Sequence, residues 1–292
     1  MAEGGFLLYL FAQNRADRGI RVTTATLANA NSPVTRRDND GVTTLTLNSP
    51  ASRNALSIGM IASLQREFAD IAADRSIRAV VITAEGSVFS AGHDLKEIQA
   101  HRNDSDEGLA YYEELMRSCS DLMQAVVHLD KPVIAAIEGV ATAAGCQLVA
   151  ACDLAIAGEG ARFATPGVNI GLFCSTPLVA VGRAIAPKHA MELALTGALY
   201  PARDAERFGL VNRVVAAGRA YEEAMKLAGA IAKRSAAAVA IGKKAFYAQR
   251  ELNLADAYAL ASRAMVGNLM HPDSDEGIGA FLARREPHWR EP

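Results

Sequence analysis

From residue 42 onward the chain alternates short apolar runs with longer stretches whose apolar positions recur at helical spacing. Residues 42–47 form a β-rich run that Asn48-Ser49-Pro50 stops. Ile58, Ile61, Leu64, Phe68 and Ile71 then fall on one helical face, with Ser57 placed to cap it. Residues 78–83 read as a buried strand, 85–92 as a loop and 94–98 as a short helical turn. A long amphipathic helix over 109–129 leads to a strand at 132–137, a small-residue helix at 144–151 and a strand at 153–157. Strands joined by helices of this length predict crossovers in a mostly parallel sheet with helices on its faces. After residue 175 the pattern is helical in seven stretches up to residue 285, with one short strand at 211–215. The predicted organisation is an extension over 1–35, an α/β core over 36–210 and a helical region over 211–292.

Composition narrows this picture in a few places. Of 292 residues half are apolar, 21% are charged and the formal net charge is −2. That allows a large core and argues against both disorder and a nucleic-acid-binding surface. The apolar run at 5–12 is too short to span a bilayer, and no later segment does better, so no membrane span is expected. It also has no basic leader, and Glu3 and Asp17 weigh against a transit peptide. Cys119, Cys146, Cys152 and Cys174 make no C-x-x-C pair, and the six histidines include none at i, i+4. A reducing compartment and no metal site are expected: the cytoplasm in a bacterium, or the mitochondrion in a eukaryote. Hydrolase elbows and phosphate-binding glycine loops are absent.

Two segments depart from ordinary core. Phe89 to Glu97 (FSAGHDLKE) lies at the carboxy end of the predicted 78–83 strand, where ligands sit in open α/β sheets. Gly92 permits a turn that exposes successive N–H groups, and Asp94 can cap the helix that follows. Gly139 to Gln147 (GVATAAGCQ) occupies the same place after the 132–137 strand, and its small residues let the backbone approach a ligand. Either loop alone is better read as close packing against a sheet. Together, after successive strands, they suggest two N–H donors aimed at one anionic oxygen.

At these residues the sequence resembles the crotonase, or enoyl-CoA hydratase/isomerase, superfamily. The landmarks are Arg53-Asn54-Ala55-Leu56, Ala91-Gly92-His93-Asp94-Leu95-Lys96, Gly139 with Ala144-Gly145-Cys146, Cys152-Asp153, Phe163-Ala164-Thr165-Pro166 and Phe208-Gly209-Leu210-Val211. They cover about residues 40 to 288. The resemblance implies an α/β spiral of ββα units, a helical carboxy-terminal trimerisation region, and homotrimers that can pair into hexamers. It implies an acyl-CoA ligand as substrate rather than a bound cofactor, its thioester carbonyl held by the His93 and Ala144 main-chain N–H groups. By the same resemblance Arg53, Ala55 and Leu56 meet the CoA nucleotide, and Ala91, Gly92, Asp94, Leu95, Lys96 and Gly145 line the ligand.

Two departures qualify the chemistry that the resemblance implies. The glutamates that position and activate water in hydratases of the family fall at Gln147 and Gly167. Glutamine can hold a water but cannot exchange a proton near neutral pH, and glycine offers nothing. Ordinary two-glutamate hydration is therefore not expected, and restoring both carboxylates should raise it only if the backbone there is still hydratase-like. His93 is the remaining candidate base, against the plainer reading that only its backbone acts. Glu138 is either a displaced acid/base or a paired strand-end side chain, and the cysteines are read as packing groups. Two functions stay open: an acyl-CoA-processing enzyme of fatty-acid metabolism that stabilises a thioester enolate, or a non-catalytic acyl-CoA-binding or regulatory oligomer.

Overall fold

The computed structural model describes residues 32–290, so the expectations for residues 1–31 lie outside the described part. It opens on a hairpin. Strands β1 (Val34–Asn39) and β2 (Val42–Leu47) pair antiparallel across Asp40-Gly41, both at positive φ, as a two-residue hairpin turn requires. The predicted extension over 1–35 therefore overlaps a strand that begins at Val34.

From β2 the main sheet grows in parallel: β3 (Ala79–Ala84), then β5 (Val133–Ile137), β7 (Leu154–Gly158) and β10 (Arg213–Val215), in the order β1-β2-β3-β5-β7-β10. Helix α1 (Ile58–Ala73) connects β2 to β3, and its capping Ser57 accepts the Met60 N–H at 3.1 Å. Residues 79–82 and 133–137 are buried throughout because both faces of the sheet are covered. Val80, Ile82, Val133, Ala135 and Ile137 face α1 and α3 (Leu109–His128) in the larger core. Their alternates Ala79, Val81, Ile134 and Ala136 pack on Ala220, Ala224 and Ala228 of α8 (Ala220–Ala232), whose alanine stripe lets the helix lie close.

A second sheet was not expected. Residues 85–92, read as a loop, contain β4 (Val88–Ser90); β6 (Val140–Thr142) precedes α4 (Ala144–Ala151), and β8 (Arg162–Ala164) follows β7. These three strands run parallel, and β9 (Tyr200–Pro201) closes the sheet antiparallel to β8. Each long strand thus continues into a short one and then a helix, which is a ββα unit. The sequence-based assignment missed these strands because two or three residues carry no readable alternation.

The helical half comprises α5 (Ser175–Ala184), α6 (Pro187–Thr196), α7 (Ala202–Phe208), α8, α9 (Ala236–Gln249), α10 (Leu254–Leu269) and α11 (Pro272–Leu282), with α2 (Leu95–Ala100) earlier in the chain. A part-buried ion pair holds α9 to the core: Lys243 Nζ lies 2.7 Å from Asp153, which also accepts from the Tyr247 hydroxyl and the Val133 N–H. No residue of α9 or α10 is buried, and Leu254, Tyr258, Met270 and Phe281 are largely exposed. No helix among the described residues is long and apolar enough to cross a membrane.

Candidate functional site

The two predicted turns meet. Gly92 follows β4 and Ala144 follows β6, the neighbouring parallel strand of the short sheet. A Cβ built on Gly92 would lie 2.8 Å from Ala143 Cβ, 3.1 Å from the Thr142 carbonyl oxygen and 3.2 Å from Ala144 N. Only a residue without a side chain lets these turns close on each other, and its φ of +89° also demands glycine. A similar constraint holds one residue past the second donor, where a Cβ on Gly145 would run into the Ser90 main chain.

Hydrogen bonds fix the relative positions. The Ala91 N–H donates to the Arg53 carbonyl at 3.1 Å and the Leu56 N–H to the Gly92 carbonyl at 2.7 Å, so residues 53–56 run alongside 91–93. The buried Ser90 hydroxyl donates to the Asn54 carbonyl at 2.8 Å and accepts the Gly92 N–H at 3.3 Å. Asn54, buried at positive φ, donates its amide to the carbonyls of Glu85 and Val88 and accepts the Ser49 N–H. On the second turn, Thr142 Oγ1 donates to the Ala91 carbonyl at 3.1 Å and the Ala143 N–H to the Ala164 carbonyl at 3.0 Å. Ala143 itself sits at φ 49°, ψ −119°, a conformation that costs a non-glycine residue about 1–3 kcal/mol.

The Ala91, Gly92 and Ala143 amides are committed; those of Gly145 and Cys146, in the first turn of α4, are as uncommitted as those of the two predicted donors, His93 and Ala144. Neither predicted donor has an acceptor among the described residues. Ala144 is the first residue of α4, where an N–H has no partner within the helix, and the following turn adds its dipole. Two such donors on touching turns are an arrangement that can bind an anionic oxygen.

The ionisable groups are less well placed for chemistry. The His93 ring lies 3.2 Å from the Leu56 carbonyl through Nδ1, so the proton sits on Nδ1, the donor, and Nε2 is the bare lone pair. Nε2 is buried without a partner among the described residues, and burial lowers the ring's pKa more than the Leu56 contact raises it. The imidazole thus braces the 53–56 segment through the Leu56 carbonyl. Asp94 caps α2, accepting the Lys96 N–H at 2.8 Å. Glu138 is no displaced base: its carboxylate accepts the N–H groups of Gly218 at 2.8 Å and Ala220 at 2.6 Å, capping α8. Arg53, Leu95 and Lys96 are exposed beside the turns, and neither cation has an ion-pair partner among the described residues. Ala55 and Leu56 are buried and contribute backbone rather than side chain to the surface.

The two positions where acid–base carboxylates were sought are closed. Gln147 is buried, with Oε1 3.9 Å from Cys119 Sγ. Gly167 lies in the 3-10 turn Pro166–Ile170, its carbonyl accepting the Leu172 N–H at 2.9 Å. A Cβ there would sit 2.9 Å from the Leu172 carbonyl oxygen and 3.0 Å from Cys174 Sγ. The Leu172 main chain and the Cys174 side chain have filled the space a side chain would need. Burial raises the pKa of all four cysteines, to about 12 for Cys119 and Cys146, so none is a ready nucleophile. No metal-ligating cluster occurs among the described residues.

Residues 37–292 match the family of enoyl-CoA hydratase/isomerase proteins. The chain belongs to that family. It is 46% identical over 253 residues to the rat enoyl-CoA hydratase domain-containing protein 3, mitochondrial, covering 87% of this chain and 83% of the relative. A putative enoyl-CoA hydratase of Thermus thermophilus is 38% identical over 83% of this chain and 95% of its own length. Among solved structures, an enoyl-CoA hydratase of Mycobacterium smegmatis superposes with a TM-score of 0.83 at 49% identity, covering 88% of this chain and 98% of that one. The human domain-containing protein 3 gives 0.84 at 45% identity over 88% of this chain and all of the other. The fold is therefore the crotonase fold.

Sequence reasoning named the donor turns but not the residues that hold them. Asn54 and Ser90 lay inside quoted motifs without a role, although an asparagine in a turn segment tolerates the left-handed conformation. Ala143 gave no signal, since alanine does not announce positive φ.

Proposed function

We propose that this protein binds acyl-CoA thioesters and stabilises their enolate form in a hole made by the His93 and Ala144 main-chain N–H groups. The observation that carries the reading is the contact of the two turns at Gly92, which leaves both amides without an acceptor among the described residues. In that pose the thioester oxygen accepts both N–H groups, and charge that develops on it is met by fixed dipoles. Exposed Arg53 and Lys96 supply positive charge beside the hole for the phosphates of coenzyme A. The reaction belongs to the lyase or isomerase type of the family, in fatty-acid metabolism, and does not run by two-glutamate hydration. The vertebrate relatives are named mitochondrial, and the same compartment is proposed for this chain if it is eukaryotic. Exposed apolar residues on α10 and α11 support assembly into homotrimers, alone or paired as hexamers.

A second reading has a specific observation in its favour. The closure of position 167 by Leu172 and Cys174 leaves an oxyanion site with no acid–base partner beside it, which suits a protein that binds acyl-CoA without turning it over. Crotonyl-CoA hydration assayed beside equilibrium binding of a panel of acyl-CoA esters separates the two. Turnover of any ester supports the enzyme, and tight binding without turnover supports the binder. Failure of every ester to bind overturns both.

A further inference from the structure

A cavity of about 500 Å³ opens at the amino ends of the central strands, opposite the ends that carry the donor turns. Residues 72–78, which lead into β3, and residues 130–131, which lead into β5, form one side. The first turns of α9 and α11 form the other. Five lysine or arginine side chains line it against two carboxylates, so the wall is cationic.

Asp74 and Asp130 act on Lys131 and Asp273 on Arg290, so the positive charge of the wall is offset only in part. Arg78 donates to the Arg234 carbonyl at 2.6 Å, and Lys131 donates to the carbonyls of Ile71 and Ala72, all of them uncharged acceptors. The guanidinium groups of Arg75, Arg234 and Arg290 have no acceptor among the described residues. Of the two acids, Asp273 is buried and already committed: Oδ2 accepts the Ser235 hydroxyl at 2.5 Å and Oδ1 the Arg290 N–H at 3.1 Å.

Arg290 reaches this wall through a fastened tail. Beyond α11 the chain doubles back. Arg285 pairs with Glu276, and the His288 N–H donates to the same carboxylate at 2.7 Å. The Trp289 indole N–H donates to the Lys233 carbonyl at 2.8 Å, and its ring covers Gly277. These contacts bring Arg290 to the same cavity as Arg75 and Arg234, whose lining also includes Ile77, Ile231 and Val239. Guanidinium forks match phosphate oxygens in pairs, and the volume falls within the range of small-ligand sites.

We infer that this cavity binds a diphosphate group, free or as part of a nucleoside diphosphate, at a site separate from the thioester hole. A bound diphosphate would bridge the β3 and β5 entries to the α8–α9 connection and the carboxy-terminal tail, tying the helical region to the core.

The test is titration calorimetry on the full chain, with pyrophosphate and ADP as separate probes at physiological ionic strength. The wild type should bind one equivalent saturably, and Arg234→Ala or Arg290→Ala should weaken binding about tenfold or more. Acyl-CoA affinity should be unchanged in both variants, whereas Ala144→Pro should weaken acyl-CoA binding and keep pyrophosphate. Tighter ADP than pyrophosphate would assign a nucleoside diphosphate, and equal affinities the diphosphate alone. Absence of saturable binding, or affinity indifferent to both arginines, would overturn the site. A parallel loss of acyl-CoA affinity in the arginine variants would also overturn it, by making the cavity the nucleotide end of the thioester ligand.

Discussion

The half of the proposed site that would hold a negative charge and the half that would move a proton are built in different ways. The first is made of main chain: two N–H groups on touching turns, held by Ser90, Asn54 and Thr142. The second depends on side chains at positions 147 and 167, where the chain has a buried amide and a glycine whose neighbours have closed in. Main-chain donors survive most substitutions because the fold places them, whereas an acid–base pair is lost with one residue each. A family fold can therefore keep its oxyanion chemistry while its proton chemistry changes or disappears.

The largest expected effect falls on the first half. Ala144→Pro removes one donor at a first helical position, where proline is otherwise tolerated. Turnover should fall by roughly 3–4 kcal/mol, a hundredfold or more, and thioester affinity by about 0.5–1.5 kcal/mol, with the folded state checked by circular dichroism. Unaltered affinity in a folded variant would show that the two halves do not differ as described. On the second half, Gln147→Glu with Gly167→Glu should yield no hydration of crotonyl-CoA. The new Cβ meets the Leu172 main chain and the new carboxylate at 147 is buried, at a cost of about 3 kcal/mol or more in chemical denaturation. A stable double variant that hydrates would mean that the second half is still open.

Ser90→Ala tests the scaffold between the halves. It leaves the Asn54 carbonyl and the Gly92 N–H without their bridge, for a stability loss of about 1–3 kcal/mol. Acyl-CoA affinity should drop with it, because Gly92 directly precedes the His93 donor. The smallest effect is on pH dependence. Burial holds His93 below its ordinary value, so the unfolded chain takes up the proton first as pH falls. Stability should be complete above about pH 6.5 and decline as pH drops from there toward the lower folded value. His93→Gln should flatten that slope in thermal melts, and an unchanged slope would place the titration elsewhere.

The same contrast explains what was legible in the sequence. Long buried strands such as 79–84 and 133–137 announce themselves as continuous apolar runs, and Ser57 and Asp94 as caps, because those signals are local. The motif residues His93 and Ala144 pointed to the donor turns, but their contact depends on a short sheet whose strands are too brief to show a period. The β1–β2 hairpin was readable in principle from Asp40-Gly41 and was passed over amid polar neighbours. Glu138 could not be read as the cap of α8, since Gly218 and Ala220 lie about eighty residues away. The closure of Gly167 depends on how the Leu172 main chain and the Cys174 side chain pack, which no spacing encodes.

Isotope-edited infrared difference spectroscopy of an acyl-CoA carrying a labelled thioester carbonyl tests the pair of donors most directly. The carbonyl band should move to lower frequency on binding to the wild type, and move back by about half in Ala144→Pro if each amide contributes equally. A bound thioester whose carbonyl absorbs as it does in water would contradict the account.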